Sequence, residues 1–465
     1  MSQHRPTASS AASMDESTIA AFRGHLRGEL QQPGEEAYDT ARKIWNGMFD
    51  RRPALIARCV SAADVIQAVN FARTQGLLVS VRGGGHSLPG HSVCDGGLMI
   101  DLSPMKGIRV DPVRQTVRAE PGVLLRELDR ETQAFGLATT CGVVSDTGIA
   151  GLTLGGGQGW LMGKYGLTID NLLTVDIVLA DGRLLCASEC ENEDLFWAVR
   201  GGGGNFGIVT SFEYRLHRVG PTILGGMILY PREQAQEVLS FYRDYSMNTP
   251  DELSVVAALF TSPDGLPVVA LVVCWSGSLA EGEACLGPLR QLGTPLADLV
   301  GEMPYCQLQS MLDAALPPGM ARYSKMGYLP HLEEQLIKTV LDHTAEMSSP
   351  YSMVLFNAMK GAVTRVAADA TAFPHRNPQW HFDIVAQWLD AAEQEQHSAW
   401  ARGLWHATER YTRGAGSNWL DVDDGEDRVR VAYGQNYARL VAIKNKYDPT
   451  NFFRLNANIA PSVEA

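Results

Sequence analysis

The sequence predicts a protein of mixed helices and short strands, α+β in class, in two or three domains. Three observations point there. A chain of 465 residues with 45% hydrophobic and 20% charged residues is ordinary globular material, too long for one core. Its glycine runs are dispersed from Gly83 to Gly207 among short strands. A dinucleotide fingerprint would instead compress strand, glycines and helix into one βαβ unit, with an acidic residue about twenty positions on, so that fold is rejected. Finally, the glycine triplets stop at Val219-Gly220-Pro221, and a proline-containing junction with a change of composition marks a domain boundary.

Residues 1–17 are small and polar with no apolar core, which predicts a disordered tail and no secretory signal. Residues 18–75 read as helical turns, then a strand at Leu55-Ile56-Ala57-Arg58-Cys59-Val60, then a helix from about Ala62. Ser61 is placed to cap that helix, and Val65, Ala68, Val69 and Ala72 recur at helical spacing. The apolar run Leu77-Leu78-Val79-Ser80-Val81 enters Arg82-Gly83-Gly84-Gly85-His86-Ser87, and Pro89-Gly90-His91 leads on to Gly96-Gly97-Leu98-Met99-Ile100-Asp101-Leu102. Strands follow at Ile108-Arg109-Val110 and Thr116-Val117-Arg118-Ala119-Glu120, then a helix around residues 124–135.

A second glycine system spans residues 144–160, where seven positions are Gly or Ala and charge is nearly absent, so backbone can pack on something flat. A third, Arg200-Gly201-Gly202-Gly203-Gly204-Asn205-Phe206-Gly207, feeds a strand over residues 208–214. Beyond residue 220, strand-like pieces at 223–230 and 268–275 mix with helices near 232–245 and 332–347, and residues 399–411 read as a domain-closing amphipathic helix. An acidic connector, Asp421-Val422-Asp423-Asp424-Gly425-Glu426-Asp427, precedes a helix around 428–446 and the tail Tyr447-Asp448-Pro449-Thr450-Asn451-Phe452-Phe453-Arg454-Leu455-Asn456-Ala457-Asn458-Ile459.

A net charge of −13 argues against nucleic acid or an anionic membrane as partner, and no apolar run is long enough to span a bilayer. Eight scattered cysteines (Cys59, Cys94, Cys141, Cys186, Cys190, Cys274, Cys285, Cys306) form no Cys-x-x-Cys pair, which predicts reduced thiols, a cytoplasmic location and no metal site. Three consecutive glycines between Arg82 and His86 let main-chain N–H groups approach an anion closely, so that loop reads as a cofactor cradle.

Four motifs in this order resemble the berberine-bridge-enzyme-like branch of the vanillyl-alcohol-oxidase flavoproteins: Arg82-Gly83-Gly84-Gly85-His86-Ser87; Gly148-Ile149-Ala150-Gly151-Leu152-Thr153-Leu154-Gly155-Gly156-Gly157; Asp194-Leu195-Phe196-Trp197-Ala198-Val199-Arg200-Gly201-Gly202-Gly203; and Tyr447-Asp448-Pro449-Thr450-Asn451-Phe452-Phe453. The resemblance runs from about Trp45 to Ile459. It implies a PCMH-type FAD-binding domain of two α+β lobes (residues 18–220), an inserted substrate domain of antiparallel sheet backed by helices (221–420), and a C-terminal return to the FAD domain (421–465). By the same resemblance the FAD-binding residues are Arg82, Gly83, Gly84, Gly85, His86 and Ser87, with Gly90 and His91. The second motif adds Val144, Ser145, Thr147, Gly148, Gly151, Gly156, Gly159 and Trp160. Asn171, Gly207, Ile208, Val209, Asn456 and Asn458 complete the set.

The resemblance further implies that His86 is bonded to the C8α methyl of the flavin, where a histidyl substituent withdraws electrons and holds the ring. Many relatives add a cysteine bond to flavin C6. Laid over this chain that cysteine falls on Val144, so a single link is expected, with Cys141 an unmodified, partly buried thiol. The tyrosine base of sugar oxidases in a Tyr-x-Asn-Tyr motif meets Gly416-Ser417-Asn418-Trp419, which keeps only Asn418. The replacement catalytic candidates are Tyr323 and Lys325, which would share one strand face, the lysine lowering the phenol's pKa. Asn357, His381 and Trp419 are weaker pocket candidates, with His381 expected at the surface more often than not; Lys360 and Arg365 read as solvated charges.

The resemblance implies an oxidase that moves a hydride from a bulky polyketide, alkaloid or aromatic substrate to flavin N5, with O2 as acceptor and H2O2 as product. The alternatives are a carbohydrate or alcohol oxidase, a flavin-oxygenating enzyme, and a cyclase that keeps FAD as scaffold. The sequence leaves the oligomeric state open.

Overall fold

The computed structural model describes residues 14–462. Of the predicted tail, residues 1–13 lie outside the described residues. Asp15 caps the helix Glu16–His25 by accepting the Thr18 amide, so the end of that tail is helical where disorder was expected.

The first sheet orders its strands Glu29–Gln31, Leu55–Arg58, Leu98–Asp101, Val79–Arg82, and the last three run parallel. The helix Ala62–Gln75 makes the crossover. Ser61 accepts the Asp64 amide at its start, Gly76 ends it at φ +64°, and Val65, Ala68, Val69 and Ala72 are fully buried, as their spacing predicts. The crossover leaves the carboxyl end of Val79–Arg82 opening directly into the first glycine loop, the edge at which such sheets hold ligands.

A second sheet, antiparallel throughout, runs Ile108–Asp111, Thr116–Ala119, Ile208–Arg215, Leu172–Val178, Leu184–Ser188. The third glycine run feeds its central strand.

The largest sheet is antiparallel, in the order Ala297–Asp298, Thr222–Pro231, Pro267–Trp275, Leu253–Thr261, Met353–Met359, Gln379–Trp388, Ala321–Leu329, with Gly301–Pro304 also paired to Thr222–Pro231. The helices Ala235–Ser246, Glu334–Thr344 and Gln394–Thr408 cover one face, where Leu239, Tyr242, Ile337, Val340 and Leu404 pack on Phe356 and Phe382. The other face turns toward the glycine loops. Strands covered on both faces lose the polar alternation that marks a strand in sequence. Leu253–Thr261, Met353–Met359 and Gln379–Trp388 are such strands, and the sequence carries no two-residue period over the first two.

The single helix expected over 428–446 is two, Glu426–Tyr433 and Tyr437–Tyr447, broken at Gly434 with φ +47°. The second carries a buried ion pair, Lys444 Nζ to Asp448 Oδ2 at 2.6 Å, both side chains wholly inaccessible. Lys444 also donates to the Asn205 and Phe453 carbonyls, while Asp448 accepts the amides of Phe452 and Phe453. Tyr447 donates to Asp194 at 2.8 Å. The tail motif is therefore a staple that returns the C-terminus to the third glycine run.

Candidate active site

Three glycine loops and the C-terminal segment converge on a cavity of about 400 Å³, whose remaining wall is the open face of the large sheet. The first two loops touch: a Cβ on Gly84 would sit 2.4 Å from Gly148 Cα, closer than any side chain can approach. Gly85, at φ +74°, turns the chain so that His86 reaches the wall.

The His86 ring stacks on the Trp45 indole, centroids 3.8 Å apart at 21°. Its Nε2 is buried 3.5 Å from Asp146 Oδ1, and neither atom has a hydrogen-bond partner. His91 also lines the cavity; burial, and secondarily Arg51, push its pKa down to about 4, so this imidazole is neutral near pH 7.

On the sheet wall, Ser324, Met353, Leu355, Asp383 and Val385 face the cavity. Asp383 accepts the Ser324 hydroxyl at 2.6 Å. Burial raises its carboxyl to about 7, against the lowering effect of that bond. Deeper in the wall, Gln158 is held between His381 Nδ1, 2.8 Å from its Oε1, and the Tyr328 hydroxyl, which accepts from its Nε2 at 3.0 Å. Trp419 meets His381 edge-on.

Among the expected cofactor residues, Gly83, Gly84, Gly85, His86, Ser87 and His91 line the cavity. So do Val144, Thr147, Gly148 and Gly151 from the second motif, and Gly207, Ile208, Val209 and Asn456. Eight do not, and all of these but Asn458 have a structural occupation. Arg82 donates to the Ala41 carbonyl, and Gly90 packs on the Phe49 ring. Ser145 donates through its N–H and hydroxyl to Asp313, while Gly156 and Gly159 lie against Phe373 and the Cys141 carbonyl. Trp160 belongs to an apolar cluster with Tyr305 and Leu308, Asn171 donates to the Tyr165 and Leu167 carbonyls, and Asn458 lies outside the lining with its Oδ1 buried and unpartnered.

Tyr323 and Lys325 share a strand face as expected, but that face packs under the helix Gln394–Thr408, opposite the cavity-facing Ser324. Lys325 is spent on Asp423 and Asp424, at 2.6 and 3.0 Å. The Tyr323 hydroxyl donates to Asp423 at 2.6 Å, and burial together with that carboxylate drives the phenol's pKa up, opposite to the lowering expected from the lysine. Asn418 lines the cavity while its Nδ2 holds the Gly151 carbonyl at 3.0 Å.

Cys141 is fully buried in the core beneath the second loop, and burial drives its thiol well up, away from the reactive thiolate. His381, expected at the surface, is buried. Asn357 is half-buried opposite it in register, outside the cavity lining. Lys360 is buried too, its Nζ donating to Thr249 and the Pro250 carbonyl, whereas Arg365 is exposed on Asp251.

Asp383 was missed. Its signal is the run His381-Phe382-Asp383-Ile384-Val385, a lone carboxylate flanked by Phe382, Ile384 and Val385, a placement that burial makes costly without a purpose.

The glycine cradle, the unpartnered His86 nitrogen, and the buried, unpartnered Asn456 Oδ1 of a cavity-lining residue suit a large polar cofactor with a flat ring. Known proteins agree. The model of an FAD binding domain matches residues 53–188, and that of the berberine and berberine-like proteins matches residues 417–460. An FAD-linked oxidoreductase of Dictyostelium discoideum is 33% identical, over 94% of this chain and 95% of its own. The chain belongs to the berberine-bridge-enzyme-like FAD-linked oxidoreductases. Another relative in this family, (R)-6-hydroxynicotine oxidase of Paenarthrobacter nicotinovorans, is 31% identical over 94% of this chain and 97% of its own. The crystal structure of 6-hydroxy-D-nicotine oxidase from Arthrobacter nicotinovorans superposes with a TM-score of 0.87 at 30% identity, covering 94% of this chain and 98% of that one. The BBE-like 1 protein of Physcomitrella patens shares the fold, with a TM-score of 0.87 at 24% identity over 96% and 100% of the two chains. This berberine-bridge-like chain is thus an FAD-dependent oxidoreductase. No helix among its described residues is long and apolar enough to cross a membrane.

Proposed function

We propose that the protein is an oxidase carrying FAD on a single link through His86, acting on a bulky, mostly apolar natural-product substrate. FAD, when bound, takes a hydride from substrate carbon and returns the electrons to O2, giving H2O2. The observation that carries this reading is the pairing of two groups on one cavity: the His86 imidazole at the glycine cradle, and the buried Asp383 carboxyl on the facing sheet.

Asp383, tuned toward neutrality, holds or takes the proton that leaves the substrate, and the Ser324 hydroxyl aims its carboxylate. Met353, Leu355 and Val385 supply an apolar wall that excludes water and supports a hydrophobic substrate over a sugar. In this reading residues 18–220 and 421–465 hold the cofactor and residues 221–420 select the substrate. Eight free cysteines support a reducing, cytoplasmic setting.

The test is peptide mapping after acid denaturation. Flavin mass on the His86 peptide alone is the expected result; flavin on the Cys141 peptide, or none on any, refutes the single link. Anaerobic mixing with substrate then separates the readings of function, because bleaching of the flavin marks redox turnover, and product without bleaching marks a scaffold role.

A further inference from the structure

Arg322 is wholly buried on the strand Ala321–Leu329, yet it forms no ion pair among the described residues. Its guanidinium donates to neutral acceptors: Gln387 Oε1 at 2.7 Å, the carbonyls of Trp45 and Met320 at 3.3 and 3.2 Å, and the Pro317 carbonyl. Burying a charge without a counter-charge is costly, and filling space does not require it.

What the charge does touch is an aromatic ring. Arg322 Cζ lies 3.6 Å from the Trp45 ring centroid, and the His86 ring lies 3.8 Å from the same indole. Two planar groups so close to one ring must take opposite faces, so guanidinium, indole and imidazole form a three-layer stack. Asp146, 3.5 Å from His86 Nε2, is also the carboxylate whose field reaches Arg322.

The stack is clamped along its edges. The Trp45 amide donates to the Gly85 carbonyl at 3.0 Å and its indole N–H to the Leu316 carbonyl at 3.2 Å. The side-chain amide of Asn46 donates to the carbonyls of Leu88 and Arg322, and its Oδ1 accepts the Arg322 amide at 2.9 Å. The loop that carries His86 is in this way tied to the strand that carries both Arg322 and the cavity-facing Ser324.

We propose that Arg322 is a positioning residue for His86: through Trp45 it holds the imidazole edge toward the cavity and fixes a permanent positive charge behind the ring that carries the flavin. The inference rests on the His86 link proposed above. Cation–π attraction is strongest when both partners are out of water, as here. A fixed cation on that side favours whichever state of the attached ring system holds more negative charge, which is the reduced one.

The test compares Arg322→Gln, which removes the charge but keeps a donor for the surrounding carbonyls, with Arg322→Lys, which keeps the charge. Each flavin-loaded protein is measured for midpoint potential and for the fraction of flavin that survives acid precipitation. The expected result is a more negative potential and a lower acid-stable fraction in Arg322→Gln, with the potential restored in Arg322→Lys. In His86→Ala loaded with free FAD, the same Arg322→Gln change should move the potential less. An unchanged potential in Arg322→Gln, or an equal shift with and without His86, overturns the proposal. Should Arg322→Gln fail to fold, Trp45→Leu is read instead: loss of acid-stable flavin supports the stack, and full linkage refutes it. Wild-type protein that releases all its flavin in acid defeats the His86 link, and Arg322 is then judged on the potentials of the two backgrounds alone.

Discussion

Asp383 sits where chemistry and stability pull in opposite directions. Its ordinary pKa is 3.8 and burial raises it to about 7 in the fold, so between those values the folded protein holds a proton that the unfolded chain has released. The contribution of Asp383 to stability therefore falls as pH rises from about 4 to about 7, and it is lost completely above that. Measured against the wild type, Asp383→Asn should gain in melting temperature as pH rises from about 4 to about 7. In turnover the sign reverses, because a base must be ionised: kcat/KM should rise through pH about 7 in the wild type. It should drop about 10²-fold or more in Asp383→Asn, which steady-state kinetics across pH will read. His91 and His381, pushed down to about 4 and about 3 by burial, stay neutral in the fold over this window and add no step to kcat/KM, but on stability they act in the opposite sense, because the unfolded imidazoles take up a proton below about 6.5. The residue scale also shows the limit of reading candidates by type. Tyr323 and Lys325 have suitable chemistry, but an acidic connector about a hundred positions later claims them both.

Among the elements, the glycine loops were the most legible, because a missing side chain is a requirement that the letter G states outright. Gly84→Ala would drive a methyl into the Gly148 backbone; the two loops must separate, and acid-stable flavin should fall sharply even where the protein remains folded. The C-terminal motif was legible as a pattern but not as a device. Its role depends on Lys444, which lies outside the motif and pairs with Asp448 out of water. Lys444→Met leaves that carboxylate buried alone and should cost about 3–5 kcal/mol, read as a lower urea midpoint with an unchanged slope. The doubly covered strands of the large sheet were the least legible, since burial on both faces erases the two-residue period.

At the scale of the whole molecule, cofactor and fold should stabilise one another, because the cavity wall is built from all three large sheets and the C-terminal return. In His86→Ala, where any binding is reversible, free FAD at about a hundred times its Kd should add about 2.7 kcal/mol to unfolding free energy, measured as a rise in melting temperature. The same protein heated without FAD gives the reference. The sequence by itself determined the family, the glycine cradle, the histidine at its end and a valine at position 144, because each is a local demand on a particular residue type. Only the tertiary structure decided that Asp383 faces the cavity and Lys325 does not, and that Arg322 backs His86. Those facts follow from strand order and from which face of a sheet is covered, and contacts between residues 45, 86, 322 and 383 have no period or spacing along the chain from which they can be read.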